Sequence, residues 1–387
     1  MTTSTKKKRA RKPLRWLDIK EHLVGYLFIS PAVIIISMFG LFPIGYAFYM
    51  STFKWRVRQG DFIGLQNFVK AIGDNWAGTL TFLGGLGLLV VAYWVWNKAF
   101  KSTSNRTLIV GAIVAFVLIA AGLTMSLGWD QMLEAGDKNF LEALPITLYY
   151  SLGTVPAEIA IALVLAYILF QNIRGQEFFR MIYFLPYITP AIATAVVFRT
   201  IFSPRDTALA NQALAWIGQE SQKWLFEAKP FTFAMFGIDL EGFWAGPSMA
   251  LVSIIFFGIW TYIGYNTVIF LAGLGSIPTT LYEAAEIDGA NKWQVFRSIT
   301  LPLLSPVTFY LALIAFIGTF KAFNHIYVMR VPSSLGTADT TSITIFDTFY
   351  KSNQYGYAAA QAILLFFIIL ALTYAQNKII GDRVFYG

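Results

Sequence analysis

The chain alternates long apolar runs with short polar intervals. Runs of membrane-crossing length cover roughly residues 23–51, 79–96, 107–127, 145–170, 181–202, 247–273, 302–323 and 358–377, because about 20 consecutive apolar residues span a bilayer as a helix. The pattern predicts an all-α integral membrane protein with about eight transmembrane helices. The first run is long and holds Pro31 and Pro43, which predicts a tilt or a kink. The most distinctive polar interval, 281–300, separates the sixth run from the seventh. It reads as a short amphipathic helix with Leu281, Ala284, Ala285 and Ile287 on one side and Glu283, Glu286 and Asp288 on the other. Gly289 stands where a left-handed stop to that helix fits. A second short helix over 292–299 follows, and Leu301-Pro302 returns to the membrane.

Composition supports the membrane reading. Hydrophobic residues make up 57% of the chain and charged residues 13%, where a soluble domain carries about 25% charged. There is no Cys and there are only two His, His22 and His325. Disulfides, thiolate ligands and Cys nucleophiles are thereby excluded, and no basis remains for a His-dependent metal or catalytic site. No G-x-x-x-x-G-K-[ST] loop is present, so ATP is not held in the Walker manner. No catalytic residue, metal or cofactor is expected.

The net charge of +8 is concentrated in Lys6, Lys7, Lys8, Arg9, Arg11, Lys12, Arg15 and Lys20, just before the first apolar run. That placement reads as a signal-anchor with a cytoplasmic basic flank rather than a nucleic-acid-binding tail. With the N-terminus inside, Lys and Arg are more frequent in the cytoplasmic segments, and the 281–300 loop and both termini fall in the cytoplasm. Lys54, Arg56, Arg58 and Lys70 dissent, lying outside. Trp55, Trp76, Trp94, Trp96 and Trp129 suit an interfacial aromatic belt. Gly84, Gly85, Gly87 and Gly111 with Ala115 suit close helix contact. Glu158 lies mid-span, where an unpartnered charge costs roughly 3 kcal/mol. It is expected to face the bundle interior, protonated or partnered by a hydroxyl, by Arg199 or by Lys321.

The spacing Glu283-Ala284-Ala285, three residues, Gly289, nine residues, Ile299, one residue, Leu301-Pro302 resembles the coupling loop of permease subunits of binding-protein-dependent ABC importers. The resemblance reaches the carbohydrate-uptake branch, the maltose and trehalose type. It is carried by Leu41-Phe42-Pro43-Ile44, the run from Phe62 to Phe68, Leu185-Pro186-Tyr187 with Pro190, the run from Phe323 to Met329, and Tyr355-Gly356-Tyr357-Ala358. It implies a type I permease core over 140–387 and a first helix with its external loop over 23–77, behind the basic cytoplasmic segment 1–22 that charge marks. Residues 78–127 depart from the family by adding a hairpin of two spans, with Lys98, Lys101 and Arg106 in its turn. A second departure replaces the usual Gly-rich stretch after the seventh span by Arg330-Val331-Pro332-Ser333-Ser334-Leu335-Gly336.

The resemblance further implies a cytoplasmic ABC ATPase dimer as motor, coupled through Glu283, Ala284, Ala285, Asp288 and Gly289. It implies a second permease subunit as heterodimer partner, an extracytoplasmic solute-binding protein, and the cytoplasmic membrane of a bacterium or archaeon as location. Positions matching the family's sugar-lining positions are Tyr187, Ala191, Gly258, Trp260, Thr261, Tyr262, Ala315 and Thr319. Of these, Tyr187, Trp260, Thr261, Tyr262 and Thr319 offer ring faces or hydroxyls to a sugar. The expected function is ATP-driven import of a di- or oligosaccharide by alternating access. An anionic glycerol-phosphate-type solute is the alternative if Lys321 faces the cavity. A proton-coupled secondary transporter would require more than the single acid Glu158, and no inverted repeat supports it.

Overall fold

In the computed structural model, the described residues are 16–100, 107–171, 174–240 and 242–381. The basic run from Lys6 to Arg15, together with Lys101 and Arg106, lies outside them. Among the described residues the secondary structure is helical, apart from two isolated bridges, Phe53–Phe62 and Pro230–Ser248. Two compact units are present, Met1–Met50 and Ser51–Gly387.

The first unit holds α1 (Trp16–Ile36) and most of α2 (Phe42–Ser51), joined by a π turn at Ser37–Leu41. The chemical cause is Pro43, which lacks an N–H and whose ring crowds the carbonyl four residues back. The wider turn places that carbonyl in a relaxed register.

In the second unit α3 (Gln66–Ile72) precedes a pair of long helices, α4 (Trp76–Phe100) and α5 (Thr107–Ala135). The core follows as α6 (Lys138–Phe170), α7 (Gln176–Ile188) and α8 (Ala191–Ile201). Short helices α9 (Leu209–Trp216) and α10 (Phe231–Phe236) lead to α11 (Met249–Gly275). Then come α12 (Thr279–Ile287), α13 (Lys292–Val295), α14 (Leu301–Leu303) and α15 (Ser305–Phe320). The chain ends through α16 (Asn324–Met329), α17 (Thr341–Phe346) and α18 (Tyr355–Ile380).

Among the described residues six helices are long and apolar enough to cross a membrane, and two bent pairs raise the number to eight if each is one span. The bent pairs correspond to the fifth and seventh apolar runs, 181–202 and 302–323. Between α7 and α8 the axis turns by 96°. Pro190 cannot donate to the carbonyl of Pro186, and Thr189, held extended before a proline, ends the helix. Between Lys292–Leu303 and Ser305–Phe320 the axis turns by 59°, between Pro302 and Pro306. A π turn at Phe296–Thr300 stands two residues before Pro302, as Ser37–Leu41 does before Pro43. The separate short helix expected over 292–299 is therefore the start of one bent rod that runs on into the seventh span.

The core is organised on the parallel pair α6 and α11. Gly258 of α11 leaves room for Tyr150 and Thr154 of α6, and nearer the Gly275 end Ala162 and Ala166 meet Phe270 and Leu274. Small residues at the contact let two helices approach closely where lipid offers no hydrophobic drive. Gly264 does the same for α7, since a Cβ there would overlap the Tyr183 carbonyl. In α4 and α5 the close approach uses Gly78, Gly85 and Gly128. Gly84, Gly87 and Gly111, expected in that role, have open space around them. Trp76, Trp94 and Trp96 are exposed as a belt requires, whereas Trp129 packs on Phe82, with ring centroids 5.5 Å apart.

Gly264→Ala should cost about 1–3 kcal/mol, the usual range for overpacking, read as a lowered Tm in detergent. Gly84→Ala, with nothing within 4 Å, should leave Tm unchanged.

Candidate functional site

Two regions carry the residues singled out by sequence: the loop around α12, and the walls of α7, α11 and α15. On α12 the expected single apolar side resolves into two. Ala285 is buried and Tyr282 half-buried against the core, where the Tyr282 hydroxyl meets Thr300 Oγ1 at 3.3 Å. Leu281, Ala284 and Ile287 are exposed, fanning from beside Ala285 round to the far side, where Ile287 is 86% exposed. The reason is angular: at about 100° per residue, Ile287 points nearly opposite to Ala285 and beside Glu283. Glu283, Glu286 and Asp288 are exposed as well. Tyr282, which the sequence reading passed over, thus anchors the helix.

Gly289 adopts φ +74° and its N–H bonds the Glu286 carbonyl at 3.0 Å. The Ala290 N–H then reaches back to Ala285 O at 2.9 Å, closing the helix end. No atom approaches within 4 Å of a Cβ built at Gly289. Its constraint is conformational, since an L side chain in the left-handed region costs about 1–2 kcal/mol. Asn291 caps the next helix in a full capping box with Gln294, at 2.9 and 2.8 Å. A cleft of 350 Å³ lined by Asp288, Gly289, Gln294 and Ser298 lies beside this joint.

The second region centres on aromatic rings. The 96° break leaves Tyr187 near the end of α7, stacked on Tyr265 with centroids 4.8 Å apart and 6.0 Å from Tyr262. Tyr187, Trp260 and Tyr262 are all exposed at their outer faces. Trp260 leans on Phe198 at 5.0 Å. The two threonines lie one layer deeper. Thr261 is buried and donates to Phe257 O at 2.8 Å. Thr319 is buried, bonded to Ser151 of α6 and to Phe316 O, so its hydroxyl ties α15 to α6. Among the family-matched positions Ala191 and Ala315 are half-buried and Gly258 is buried.

Glu158 is 2% exposed and faces the bundle interior, as expected of a mid-span acid. The partners proposed for it are corrected. Arg199 donates to Val328 O at 3.2 Å and Lys321 is exposed at the end of α15. Neither forms an ion pair with Glu158 among the described residues. The group beside it is the Asn266 amide of α11.

Residues 158–386 match the family described as the binding-protein-dependent transport system inner membrane component. The chain belongs to that family. As a permease component it is a transport subunit and not an enzyme. It is 34% identical over 247 residues to the arabinooligosaccharides transport system permease protein AraP of Halalkalibacterium halodurans, covering 63% of this chain and 72% of that one. It is 28% identical over 365 residues to the diacetylchitobiose uptake system permease protein NgcF of Streptomyces coelicolor, covering 92% and 82%. Its fold is similar to a chain in the crystal structure of a bacterial ABC transporter involved in import of the acidic polysaccharide alginate. There the TM-score is 0.63 at 21% identity, with 95% of this chain and 98% of that chain covered.

The permease also holds a charged cleft of 550 Å³ at the end of α15 away from α12. Arg330, in the stretch that departs from the family pattern, forks onto Asp347 at 3.0 and 3.1 Å and reaches Asp339 at 3.4 Å. Lys351 adds a bond to Asp347 at 2.9 Å. Burial pushes the Asp347 carboxyl up, but the bonds from Arg330 and Lys351 outweigh it and hold the group below its usual range. Asp339 moves the other way, because burial outweighs its weaker contact with Arg330. Sequence spacing gives no hint of this cluster, since residues 330 and 347 share no helix.

The Arg330–Asp347 contact should contribute stability fully above the ordinary Asp pKa of about 3.9. That contribution is lost only as pH falls through the depressed value. Asp347→Asn should therefore lower Tm at neutral pH, and the difference from wild type should vanish in strong acid.

Proposed function

We propose that this permease imports a short oligosaccharide across the cytoplasmic membrane by alternating access, driven by a separate ABC ATPase that seats on α12. The observation that carries the reading is α12 itself, where Leu281, Ala284 and Ile287 are exposed together with Glu283, Glu286 and Asp288 on a helix whose Tyr282 packs on the core. An apolar helix face with an acidic rim fits a groove in a partner. Firm anchoring makes that helix a lever rather than a tether. Its two ends connect directly to α11 and to the bent rod 292–320, so a push on α12 would turn both as bodies.

Several features support the partners. The family is binding-protein-dependent by description, which favours an extracytoplasmic solute-binding protein that delivers the solute. With α12 on the ATPase side, both termini are cytoplasmic. A second, different permease subunit would supply the other half of the path, facing Tyr187, Trp260 and Tyr262. Exposed rings beside hydroxyl groups suit the stacking of sugar faces, and the relatives are named for arabinooligosaccharide and diacetylchitobiose transport. Coupling is assigned to Glu283, Ala284, Ala285, Asp288 and Gly289. Contact with sugar is assigned to Tyr187, Trp260 and Tyr262, with Thr261 and Thr319 holding the wall behind them.

The test is uptake of radiolabelled arabinotriose by the assembled transporter in proteoliposomes. Gly289→Val and Glu283→Lys should each abolish ATP-driven uptake while the protein stays in the membrane at wild-type amounts. Full transport in either variant would reject the coupling assignment. Trp260→Ala should raise KM about tenfold, the loss of roughly 1.4 kcal/mol of binding. Unchanged kinetics would remove Trp260 from the path.

A further inference from the structure

The interval between α8 and α11 hides one aromatic cluster and displays another. Trp224 and Leu225 are buried with Phe202 and Met249 in the core. Farther on, α10 and the turn Gly242–Ala245 leave Phe236, Ile238, Phe243 and Trp244 exposed, Trp244 by 79%. These residues form one patch. Thr232 Oγ1 donates to Ala245 O at 3.0 Å, and the Ile238 N–H reaches Thr232 O at 3.3 Å. The Phe243 and Trp244 rings meet edge to face, with centroids 6.0 Å apart. The patch is also firmly held. The Phe231 N–H donates to Pro247 O at 2.9 Å and the Met249 N–H to Lys229 O at 3.0 Å, which ties it to the start of α11. Phe243 stacks on Tyr149 of α6 at 5.0 Å, and its carbonyl accepts the Tyr149 hydroxyl.

Depth and direction locate this patch in the bundle. About 20 residues of α6, roughly 30 Å at 1.5 Å each, separate Phe170 at the α12 end from Tyr149. The hydrocarbon layer is about 30 Å thick. Tyr149 and Phe243 therefore stand at its far boundary, where hydrocarbon gives way to headgroups. On the α12 side of Tyr149, Leu152, Pro156, Ala160 and Val164 recur every four residues, all apolar and exposed. Tyr149 lies five residues from Thr154, about 140° round the helix from the α11 contact. Trp260 lies two residues from Gly258, about 200° round α11 from the α6 contact. The patch and the aromatic path wall are on opposite sides of the α6–α11 pair.

A loop bathed in water does not gather four large apolar side chains into one exposed patch without something to cover them. A binding protein that docks and leaves needs a face no more apolar than the rest of the surface. The second permease, on the reading above, faces the wall on the other side of the pair. The bilayer is the neighbour at this depth and on this side, continuous with the apolar stripe of α6. We infer that Phe236, Ile238, Phe243 and Trp244 form an interfacial anchor, seated in the headgroup layer of the leaflet away from α12, with phospholipid as its partner. Aromatic side chains suit that layer because an apolar ring meets acyl chains while an indole N–H finds wet acceptors. The anchor fixes the depth at which α11 begins, and the far end of α11 leads into α12. A push on α12 then swings α11 about a point held at the opposite membrane surface, in place of sliding the helix along its axis. Only the choice of lipid over a second permease uses the transport reading.

The chain has no Cys, so Trp244→Cys and, as a second probe, Phe236→Cys each create a single labelling site. Each variant is labelled with the fluorophore NBD and placed in phosphatidylcholine vesicles, first alone and then assembled with its ATPase and partner permease. Quenching by a phospholipid carrying a nitroxide near its headgroup is compared with quenching by aqueous iodide. Glu220→Cys, at an exposed polar position after α9, is the water-facing reference. At both anchor positions, lipid quenching should be about fivefold stronger than at Glu220, and iodide quenching about fivefold weaker. Iodide quenching equal to that at Glu220 overturns the anchor. Lipid quenching that disappears on assembly with the partner permease overturns it in favour of a subunit interface. Disappearance on adding the binding protein overturns it in favour of a docking surface. Lipid quenching that persists in vesicles whose wild-type transporter moves no sugar upholds the anchor, and the transport reading alone then falls.

Discussion

Close approach of α6 and α11 is the constraint on which the rest of the structure depends. These parallel helices meet at Gly258 and, farther along, at Ala162 and Ala166. In a lipid phase, helix association rests on van der Waals fit and interhelical hydrogen bonds, because lipid tails are as apolar as Leu. One added methyl on the seam is therefore felt along both helices. The same seam fixes the bent α7 through Gly264 and α15 through the Ser151–Thr319 bond. Tyr187 and Tyr262 on these helices, and α12 through Tyr282, are held against the same core.

Proline supplies the second layer of control. Pro43 and Pro302 each follow a π turn, Pro190 breaks a helix outright, and Pro302 and Pro306 bracket a bend. At Pro190 the preceding Thr189 is extended and the axis turns sharply. At Pro302 the π register absorbs the conflict and the rod continues. The aromatic wall around Tyr187 owes its shape to the first case and the bent rod 292–320 to the second.

Much of this was legible in the sequence. Apolar run length gave the number of crossings, because hydrocarbon thickness leaves little choice. The left-handed conformation of Gly289 followed from helix-end chemistry. The angular arrangement of α12 was harder to read. Ile287 looked like part of one apolar side, yet the fold buries Ala285, half-buries Tyr282 and leaves Ile287 exposed. Composition says which residues are apolar, and only packing against Thr300 and the core decides which of them are covered. The partner of Glu158 was missed for a related reason. Charge suggested Arg199 or Lys321, whereas helix register brings Asn266 alongside. The four-residue recurrence of polar positions in both helices was available as a signal. Thr261 and Thr319 were recognised as polar, but their hydroxyls are engaged within the bundle.

The α4–α5 pair has ends that meet. A Cβ at Gly73, just before it, would strike Ala135 and Gly136 just after it, and the Asp137 N–H reaches the Ala71 carbonyl at 3.4 Å. The chain therefore leaves and rejoins its course at nearly one point. Two crossings are an even number, so every later segment keeps its side of the bilayer whether or not the pair is there. Such a unit can be gained or lost in a single genetic event without re-sorting the topology downstream.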